Sequence, residues 1–307
     1  MNEHDDTSGP TSSIASDHLT KPALLIVNTK SRNGAAASDR VFDALETAGI
    51  PVRREACEEA SQVSAMIRLL ASEVDRVVLG GGDGTLNAAL PGLLHTGLPL
   101  GIIPLGTAND LARTLGLPID PVAAAQVIAA GNRTRIDIGK ANEVPFFNVA
   151  SIGFGVDLTR ALTRDAKKRW GTLGYLVAGI RALQRLRSFT IEIEQDGTVQ
   201  RGRTIHLAIG NGRHYGGGMT VSEDAAIDDG RLNVYSLEVR KLWQLMMVLP
   251  SMRHGRQGRW KEVRTLASAD ITVRTRRERS VNTDGEITTK TPARFRVLPR
   301  AIEVYVP

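Results

Sequence analysis

RVVLGGGDGTLNAAL, residues 76–90, is the stretch that decides the fold of this 307-residue chain. Arg76–Leu79 ends in a short apolar run of the kind that forms a buried parallel strand, and three glycines follow it. Glycine allows the backbone to approach a ligand closely, and the helix expected after the loop presents unpaired N–H groups and partial positive charge. Gly80–Thr85, between a strand and a helix, therefore predicts a phosphate-binding loop.

This loop differs from the common nucleotide-binding signatures. It has no Gly-Lys-Ser/Thr of a Walker A loop, and its glycine spacing is not that of GxGxxG. Thr85 can donate its hydroxyl to a phosphate oxygen or cap the helix. A plain glycine turn is the alternative, which three successive glycines followed by Asp83, Gly84 and Thr85 disfavour. We therefore predict phosphate binding without the usual P-loop lysine.

A second loop follows the next predicted strand. Leu100–Ile103 is an apolar run, and Pro104–Ala112 places small and polar residues after it. In open α/β sheets, ligands bind outside the carboxyl ends of the strands, so both loops should meet at one edge. Thr107 and Asn109 are expected to contact a nucleotide or to cap a helix. The second loop also supplies an acid, and this Asp110 can share a magnesium network with Asp83 or stabilise its own loop.

Alternating strands and helices surround these loops. Further strands are predicted at 23–27 and from Val52, and helices at 38–48, 62–70, 86–94 (with Pro91 as its kink or end) and 121–130. Repeated βα units favour a parallel, doubly wound sheet. Residues 21–135 are thus predicted to form an α/β nucleotide-binding domain, with the boundary near Arg135.

Residues 136–307 change character. Strands are predicted at 146–150, 190–194, 204–209, 231–237, 270–274 and 301–306, and helices at 174–186 and 241–252. The segments 190–194 and 271–274 alternate apolar with polar residues, as half-exposed antiparallel strands do. We predict a mainly antiparallel, β-sandwich-like second domain over 136–307, whose extreme C-terminus can return to the first domain.

The net charge of +6 is unevenly distributed along the chain. Residues 21–135 hold 11 basic and 11 acidic residues, whereas residues 136–307 hold 28 and 18. The cationic half indicates nucleic acid, an anionic membrane or a phosphorylated ligand as partner, unless the charge serves solubility alone. Residues 250–280 combine nine basic residues and three acids with Trp260, which suits a membrane interface. No nucleic-acid-binding motif accompanies them, so no nucleic-acid partner is expected.

Three further features bound the cellular setting. Residues 1–20 are polar, lack the basic start and apolar core of a signal peptide, and are expected to be a disordered leader. No apolar stretch is long enough to cross a bilayer. Cys57 is the only cysteine, which excludes an internal disulfide and suits a reducing cytoplasm. The six histidines show no zinc-binding spacing.

The two loops together carry a specific resemblance. GGGDGT followed by PLGTANDLA resembles the catalytic domain shared by diacylglycerol kinases, sphingosine kinases and bacterial YegS-like lipid kinases. GGDGT alone also fits NAD kinases and phosphofructokinases, whereas Pro104–Asp110 narrows the resemblance to the lipid kinases. The match continues through 148–155, 210–213, 228–230 and 284–286, and covers nearly all of 21–307. It implies transfer of a phosphoryl group from ATP, with Mg²⁺, to a lipid hydroxyl.

The resemblance also implies the site residues. Positions implied to hold ATP are Cys57, Gly81, Gly82, Asp83, Gly84, Thr85, Leu86, Asn87, Ala88, Thr107 and Asn109. At Cys57 the family pattern has threonine, and cysteine is the weaker hydrogen-bond donor. A magnesium site is implied around Asp229, with the carbonyls of Ala226 and Arg231. Glu286 is implied to accept the proton of the lipid hydroxyl, with Asp83 as the second catalytic carboxylate.

The residues themselves leave some of these roles open. A lone Glu286 after the turn Asp284-Gly285 is either solvated or, beside magnesium and phosphate, able to accept a proton. Asp228-Asp229-Gly230 is either a hairpin turn or a source of oxygen ligands for a hard cation.

Two alternatives to a lipid kinase remain. The first is a kinase of a soluble substrate such as NAD, and the second is a non-catalytic lipid-binding protein. Diacylglycerol, phosphatidylglycerol and a sphingoid base all fit as acceptors. We expect a cytoplasmic protein that associates peripherally with an anionic membrane, and a homodimer is compatible with the sequence.

Overall fold

The computed structural model describes residues 21–28, 34–57, 59–153, 188–239 and 242–307. The predicted leader, residues 1–20, and the predicted helix at 174–186 lie outside the described residues.

The first half alternates strands with helices, as predicted. Its elements are β1 (Ala23–Asn28), α1 (Gly34–Thr47), β2 (Val52–Cys57), α2 (Ala60–Leu70), β3 (Arg76–Gly81), α3 (Asp83–Thr96), β4 (Leu100–Pro104), α4 (Asp110–Thr114) and α5 (Pro121–Ala130). The strands pair in parallel in the order β2-β1-β3-β4. Alternate residues of β1 face opposite layers, because Leu24 packs with α2 and α3 whereas Leu25 packs with α1 and α5. This is a three-layer parallel α/β domain.

Helix α3 does not end at Pro91, where the sequence pattern allowed an end. The helix continues to Thr96 and is closed by Gly97 in the left-handed region. A proline inside a helix costs about 3 kcal/mol because it removes one hydrogen bond and clashes with the preceding turn. Burial of Leu86, Leu90 and Leu93 in the core contributes roughly 1.5–3 kcal/mol each and outweighs that cost.

The second half is built mainly of strands. Its elements are β5 (Arg133–Ala141), β6 (Val144–Phe146), β7 (Val149–Gly153), β8 (Phe189–Gln195), β9 (Thr198–Thr204), β10 (His206–Gly210), β11 (His214–Tyr215), β12 (Met219–Thr220), β13 (Leu232–Leu237), α6 (Leu242–Met252), a 3-10 turn (Gln257–Arg259), β14 (Val263–Ser268), β15 (Asp270–Thr275), β16 (Ser280–Thr283), β17 (Glu286–Lys290) and β18 (Ala293–Tyr305). The single strand predicted at 146–150 is two strands, β6 and β7.

Two sheets enclose the core of this half. An antiparallel sheet runs in the order β14-β13-β10-β7-β16-β17. Strands β18, β15, β8 and β9 form the facing antiparallel layer. Ile152 and Leu207 of the first sheet pack with Ile191 and Phe295 of the second. The predicted antiparallel β-sandwich is therefore confirmed.

The C-terminal strand joins the two halves. Val304 of β18 pairs in parallel with Leu100 of β4, so the strands of both halves form one continuous sheet. On its other side β18 pairs with β5, including Glu303 with Arg135. Arg135, where the sequence placed the domain boundary, lies inside strand β5, which pairs with the joining strand β18.

Candidate functional site

The structure brings the two glycine-containing loops together at the carboxyl ends of β3 and β4. Gly81 ends β3, and its carbonyl accepts a hydrogen bond of 2.9 Å from the backbone N–H of Leu105. A Cβ on Gly106 would lie 2.5 Å from the Cα of Gly82, so neither loop has room for a side chain at this contact. A Cβ on Gly81 would meet the Thr85 hydroxyl at 2.6 Å. Backbone therefore lies against backbone at the edge where a phosphate is expected.

The first turn of α3 begins in this loop. Gly82 is the residue that precedes the helix, and Asp83 is its first residue. Thr85 is buried, and its hydroxyl accepts a hydrogen bond of 3.4 Å from the Asn28 side chain. Gly84 is exposed, and nothing lies within 4 Å of a Cβ placed there. The open end of the helix thus offers its N–H groups and dipole to an anion.

The next three predicted residues, Leu86, Asn87 and Ala88, continue α3. Leu86 is buried in the hydrophobic core, so only its backbone can reach a nucleotide. The side-chain oxygen of Asn87 is buried and has no hydrogen-bond partner among the described residues. Ala88 is half-buried. Of the three, Asn87 is the side chain with an unsatisfied polar atom that a ligand could satisfy.

Asn109 shapes the second loop. Its side-chain oxygen accepts a bond of 2.9 Å from the N–H of Gly106, and its amide donates a bond of 3.0 Å to the carbonyl of the same residue. The backbone of Asn109 is left-handed, with φ 50°, and the residue is buried. Thr107 lies exposed at the tip of the loop that this clamp closes. Thr107 is thus open to a ligand, whereas the Asn109 amide serves the loop itself.

Asp110 connects the second loop to the second half of the chain. Its carboxylate accepts hydrogen bonds of 3.0–3.2 Å from the N–H groups of Gly217 and Gly218, in the β11–β12 hairpin. Burial raises the pKa of Asp110, the Gly217 and Gly218 donors oppose the rise, and the charge of Asp83 adds to it. The backbone N–H of His214, in the same hairpin, donates to the Thr114 hydroxyl at 3.2 Å.

Asp284 is a functional candidate that the sequence analysis treated as a turn residue. Its carboxylate accepts hydrogen bonds of 2.7, 3.0 and 2.9 Å from the backbone N–H groups of residues 147–149. Burial raises the pKa of Asp284 to about 6 against the effect of these donors, and the charge of Asp83 adds to the rise. Asp83 also accepts a hydrogen bond of 3.3 Å from the backbone N–H of Leu111, beside Asp110. The Asp-Gly turn signal hid this second role.

Glu286 lies one residue beyond that turn. Asp284 and Gly285 have positive φ values of 46° and 98°, as the central residues of a tight hairpin do. Glu286 is the first residue of β17, pairs with Thr283 and is exposed. Within the described part of the chain, no hydrogen bond holds its side chain. The base predicted from the resemblance is therefore open to an incoming hydroxyl.

The predicted metal-binding turn is held by a buried carboxylate that the sequence analysis missed. Asp137 is 1% exposed and accepts hydrogen bonds of 2.6 Å from the Gly230 N–H and 2.7 Å from the Arg300 N–H. Its backbone N–H donates to the carbonyl of Ile227 at 2.8 Å. A charged residue between two isoleucines, in the sequence Ile136-Asp137-Ile138, was the available signal.

The oxygen atoms at this turn are suitable ligands for a hard cation. Asp229 is exposed, and its Oδ1 accepts a bond of 2.9 Å from the Arg231 N–H, which leaves Oδ2 and further lone pairs for a ligand. One carboxylate with the carbonyls of Ala226 and Arg231 is an all-oxygen set of the kind Mg²⁺ or Ca²⁺ takes. Among the described residues, no group of three or more His, Cys, Asp or Glu side chains could hold a metal ion. Any cation here would therefore depend on backbone oxygens.

Cys57 lies at the end of β2, paired in register with Asn28. Its side chain is buried, and the thiol donates a hydrogen bond of 3.0 Å to the carbonyl of Glu59. Burial raises the pKa of this thiol, so it stays protonated. Its only proton is therefore engaged within the protein.

The two glycine-containing loops lie at the carboxyl ends of neighbouring parallel strands, where open α/β sheets bind ligands. Comparison with known proteins gives the class. The diacylglycerol kinase catalytic domain matches residues 22–141. The YegS C-terminal NAD kinase beta sandwich-like domain matches residues 150–306. The chain belongs to the family of diacylglycerol kinases and YegS-like lipid kinases.

Individual relatives cover almost the whole chain. A protein of Serratia proteamaculans named probable lipid kinase YegS-like is 33% identical over 298 residues, which are 94% of this chain and 95% of the relative. A diacylglycerol kinase of Staphylococcus saprophyticus is 31% identical over 86% of this chain and 87% of the relative.

Solved structures agree in fold. A crystal structure from Bacillus anthracis superimposes with a TM-score of 0.80 and 26% identity, over 94% of this chain and 97% of that chain. A diacylglycerol kinase from the same organism, with a TM-score of 0.76 and 24% identity, shares the fold. Among the residues that the structure describes, no helix is both long and apolar enough to cross a membrane.

Proposed function

We propose that this kinase transfers the γ-phosphoryl group of ATP to the hydroxyl group of a membrane lipid. The observation that carries the proposal is the close contact between Gly82 and Gly106 at the carboxyl ends of β3 and β4, with Gly84 and Gly106 exposed. The names of the relatives, probable lipid kinase and diacylglycerol kinase, support a lipid as the acceptor.

The first loop would hold the phosphates. Backbone N–H groups of residues 81–84, at the positive end of α3, would donate to phosphate oxygens, and Thr85 would add its hydroxyl. Asn87 and Ala88 would contact the nucleotide one turn later, and Leu86 would do so through its backbone. Thr107, at the exposed tip of the second loop, would complete the site. Asn109 would act by closing that loop, and Cys57 would give at most a weak contact.

Glu286 would accept the proton of the lipid hydroxyl. A general base must reach the attacking group, and Glu286 is exposed and free of hydrogen bonds within the described part of the chain. Asp284 would hold the hairpin that carries Glu286 against residues 147–149. Asp83 would lie beside the transferring phosphoryl group.

Mg²⁺ would have two places to bind. Asp83 and Asp110 offer carboxylate oxygens beside the phosphate loop, and Asp229 with the carbonyls of Ala226 and Arg231 offers a separate set. When bound at a phosphoryl-transfer site, magnesium neutralises negative charge on the phosphates. The cationic character of residues 136–307 supports peripheral association with an anionic membrane on the cytoplasmic side.

The test is an acceptor panel with γ-labelled ATP. Diacylglycerol, phosphatidylglycerol, a sphingoid base, a total lipid extract and NAD are each offered, and labelled products are identified by mass spectrometry. We expect label on a lipid, and a fall in kcat of at least about 10² in Glu286→Gln, since general base catalysis contributes 10²–10⁴-fold.

Two results would contradict the proposal. Label on NAD alone would make the protein a soluble-substrate kinase. Equal background turnover by wild type and Glu286→Gln with every lipid, together with binding to liposomes, would make it a non-catalytic lipid-binding protein.

A further inference from the structure

Helix α6 exposes a surface that the phosphoryl-transfer site does not use. On one face, Leu245, Val248 and Met252 are buried in a core cluster. On another, Trp243 is 57% exposed and Met247, one turn later, is 49% exposed. A helix that is apolar on all sides is normally buried. Within the described residues, nothing covers the outward face of α6.

The segment after α6 extends this surface. Trp260 packs at the edge of the same core cluster and, with Trp243 and Met247, lines a depression of about 430 Å³. Arg259, Lys261 and the acid Glu262 line it as well. Apolar rings and cations therefore share one open concavity.

Cations outnumber acids in the segment that borders the depression. Residues 253–264 contain five Arg or Lys and a single acid, Glu262. Three of the five cations form ion pairs with other parts of the chain: Arg256 and Arg259 pair with Glu223, and Arg264 pairs with Glu238. Arg253 and Lys261 are exposed and form no ion pair within the part of the chain that the structure describes. Their charge is thus available to an anionic partner.

We propose that this α6 surface, formed by Trp243, Met247, Trp260 and Lys261, with the exposed Arg253 directly after the helix, docks the kinase on an anionic lipid bilayer. Tryptophan and methionine side chains would enter the headgroup region, and the cations would face anionic lipids. The inference rests on the proposed function in one respect, that the acceptor lies in a bilayer. Docking itself requires neither ATP nor an acceptor.

Charge decides between a bilayer and a second copy of this chain. In a two-fold symmetric dimer the same patch meets itself, so the cationic surface of one copy would face the cationic surface of the other. Like charges brought together at an interface disfavour the pairing. An anionic bilayer instead complements both the cations and the exposed rings.

The α6 surface is bonded to the candidate site through one hairpin. The Thr220 hydroxyl donates to the carbonyl of Arg253 at 3.1 Å, and the Gln257 side chain donates to the carbonyl of Thr220 at 3.1 Å. The same β11–β12 hairpin donates the N–H groups of Gly217 and Gly218 to Asp110. Docking through α6 would therefore hold the bilayer close to the hairpin that is bonded to Asp110 of the candidate site.

The test measures binding of the full chain to sucrose-loaded vesicles, without ATP. Vesicles of phosphatidylcholine alone are compared with vesicles of phosphatidylcholine and phosphatidylserine. We expect binding to the anionic vesicles, weakened at about 1 M salt, where the Debye length falls to about 3 Å. Trp243→Ala/Lys261→Gln should lower the partition coefficient at least about tenfold. The matched control, Arg68→Gln/Leu69→Ala on α2, removes one exposed cation and one exposed apolar residue and should bind like wild type.

Three results would contradict the proposal that the α6 surface docks on a bilayer. They are equal wild-type binding to both vesicle types, an equal loss in both double variants, and an α6 variant that changes the oligomeric state but not vesicle binding. Thermal melts show whether each variant is folded. Activity on detergent-dispersed diacylglycerol shows whether it is still catalytically active without a bilayer. A folded, active variant that no longer binds vesicles supports the α6 surface. Vesicle binding without any kinase activity would instead contradict the proposed function alone.

Discussion

At the scale of single residues, the decisive interactions are carboxylates that accept backbone N–H groups from distant segments. Asp284 binds residues 147–149, and Asp137 binds Gly230 and Arg300. Each bond spans more than ninety positions of sequence. Local sequence patterns cannot predict hydrogen bonds between such distant segments. The glycine loop, by contrast, is a local feature, which is why it could be identified from the sequence.

Asp284 should make stability depend on pH. Its pKa of about 6 lies above the ordinary value of 3.8, so the folded state holds this proton more tightly than the unfolded chain does. The stabilisation is fully present below about pH 4 and is lost as the pH rises to about 6. Two pKa units correspond to about 3 kcal/mol at most.

The measurement for this prediction is urea unfolding of wild type and Asp284→Asn between about pH 4 and pH 7. Subtracting the two curves removes the groups that both proteins share. We expect the stability of wild type relative to the variant to fall across this window. A difference that stays constant, or that grows with pH, would contradict a raised pKa at Asp284.

At the scale of elements, the apolar strands of the first half were predictable because they form continuous buried runs. Strand β9 was missed because its residues are almost all exposed and show no apolar face. Strand β18 was predicted only over 301–306, although it begins at Ala293. Pro299 lies where its pairing with β5 shifts register, and prolines in sheets favour such bulges. The strand order predicted that the two glycine loops of the candidate site would meet. It could not predict how closely their backbones approach each other.

The loop contact predicts opposite effects for two glycine substitutions. Gly106→Ala would place a Cβ 2.5 Å from the Cα of Gly82 and 2.7 Å from the Asn109 side-chain oxygen. We expect a loss of roughly 1–3 kcal/mol of stability. Gly84→Ala, in the first turn of α3 with nothing within 4 Å, should be neutral or stabilising by up to about 1 kcal/mol. Chemical denaturation of the ligand-free proteins compares the two, and equal effects would show that the loops do not touch as described.

At the scale of the whole molecule, the C-terminal strand makes the two halves one sheet. Strand β18 pairs with β4 of the first half and with β5 and β15 of the second. Sequence periodicity gave the separate parallel and antiparallel regions. The extreme C-terminus was expected to return to the first domain, but periodicity could not specify that Val304 pairs with Leu100, because that pairing depends on the complete three-dimensional arrangement. Asp137 lies on β5 beside that closure and ties β18 to the turn that carries Asp229.

Asp137→Asn should therefore loosen the whole assembly rather than a single turn. Asparagine retains one acceptor oxygen, so either the Gly230 N–H or the Arg300 N–H faces an amide group and loses its partner. A buried donor without a partner costs about 1–3 kcal/mol. Asp229→Asn is the control, because that residue is exposed and its bond to the Arg231 N–H survives on asparagine. Stability is measured by urea unfolding, with EDTA present to remove any bound cation. Under that condition Asp137→Asn should be destabilised and Asp229→Asn should have the stability of wild type. Equal stability of both variants would mean that Asp137 does not connect the turn to β18.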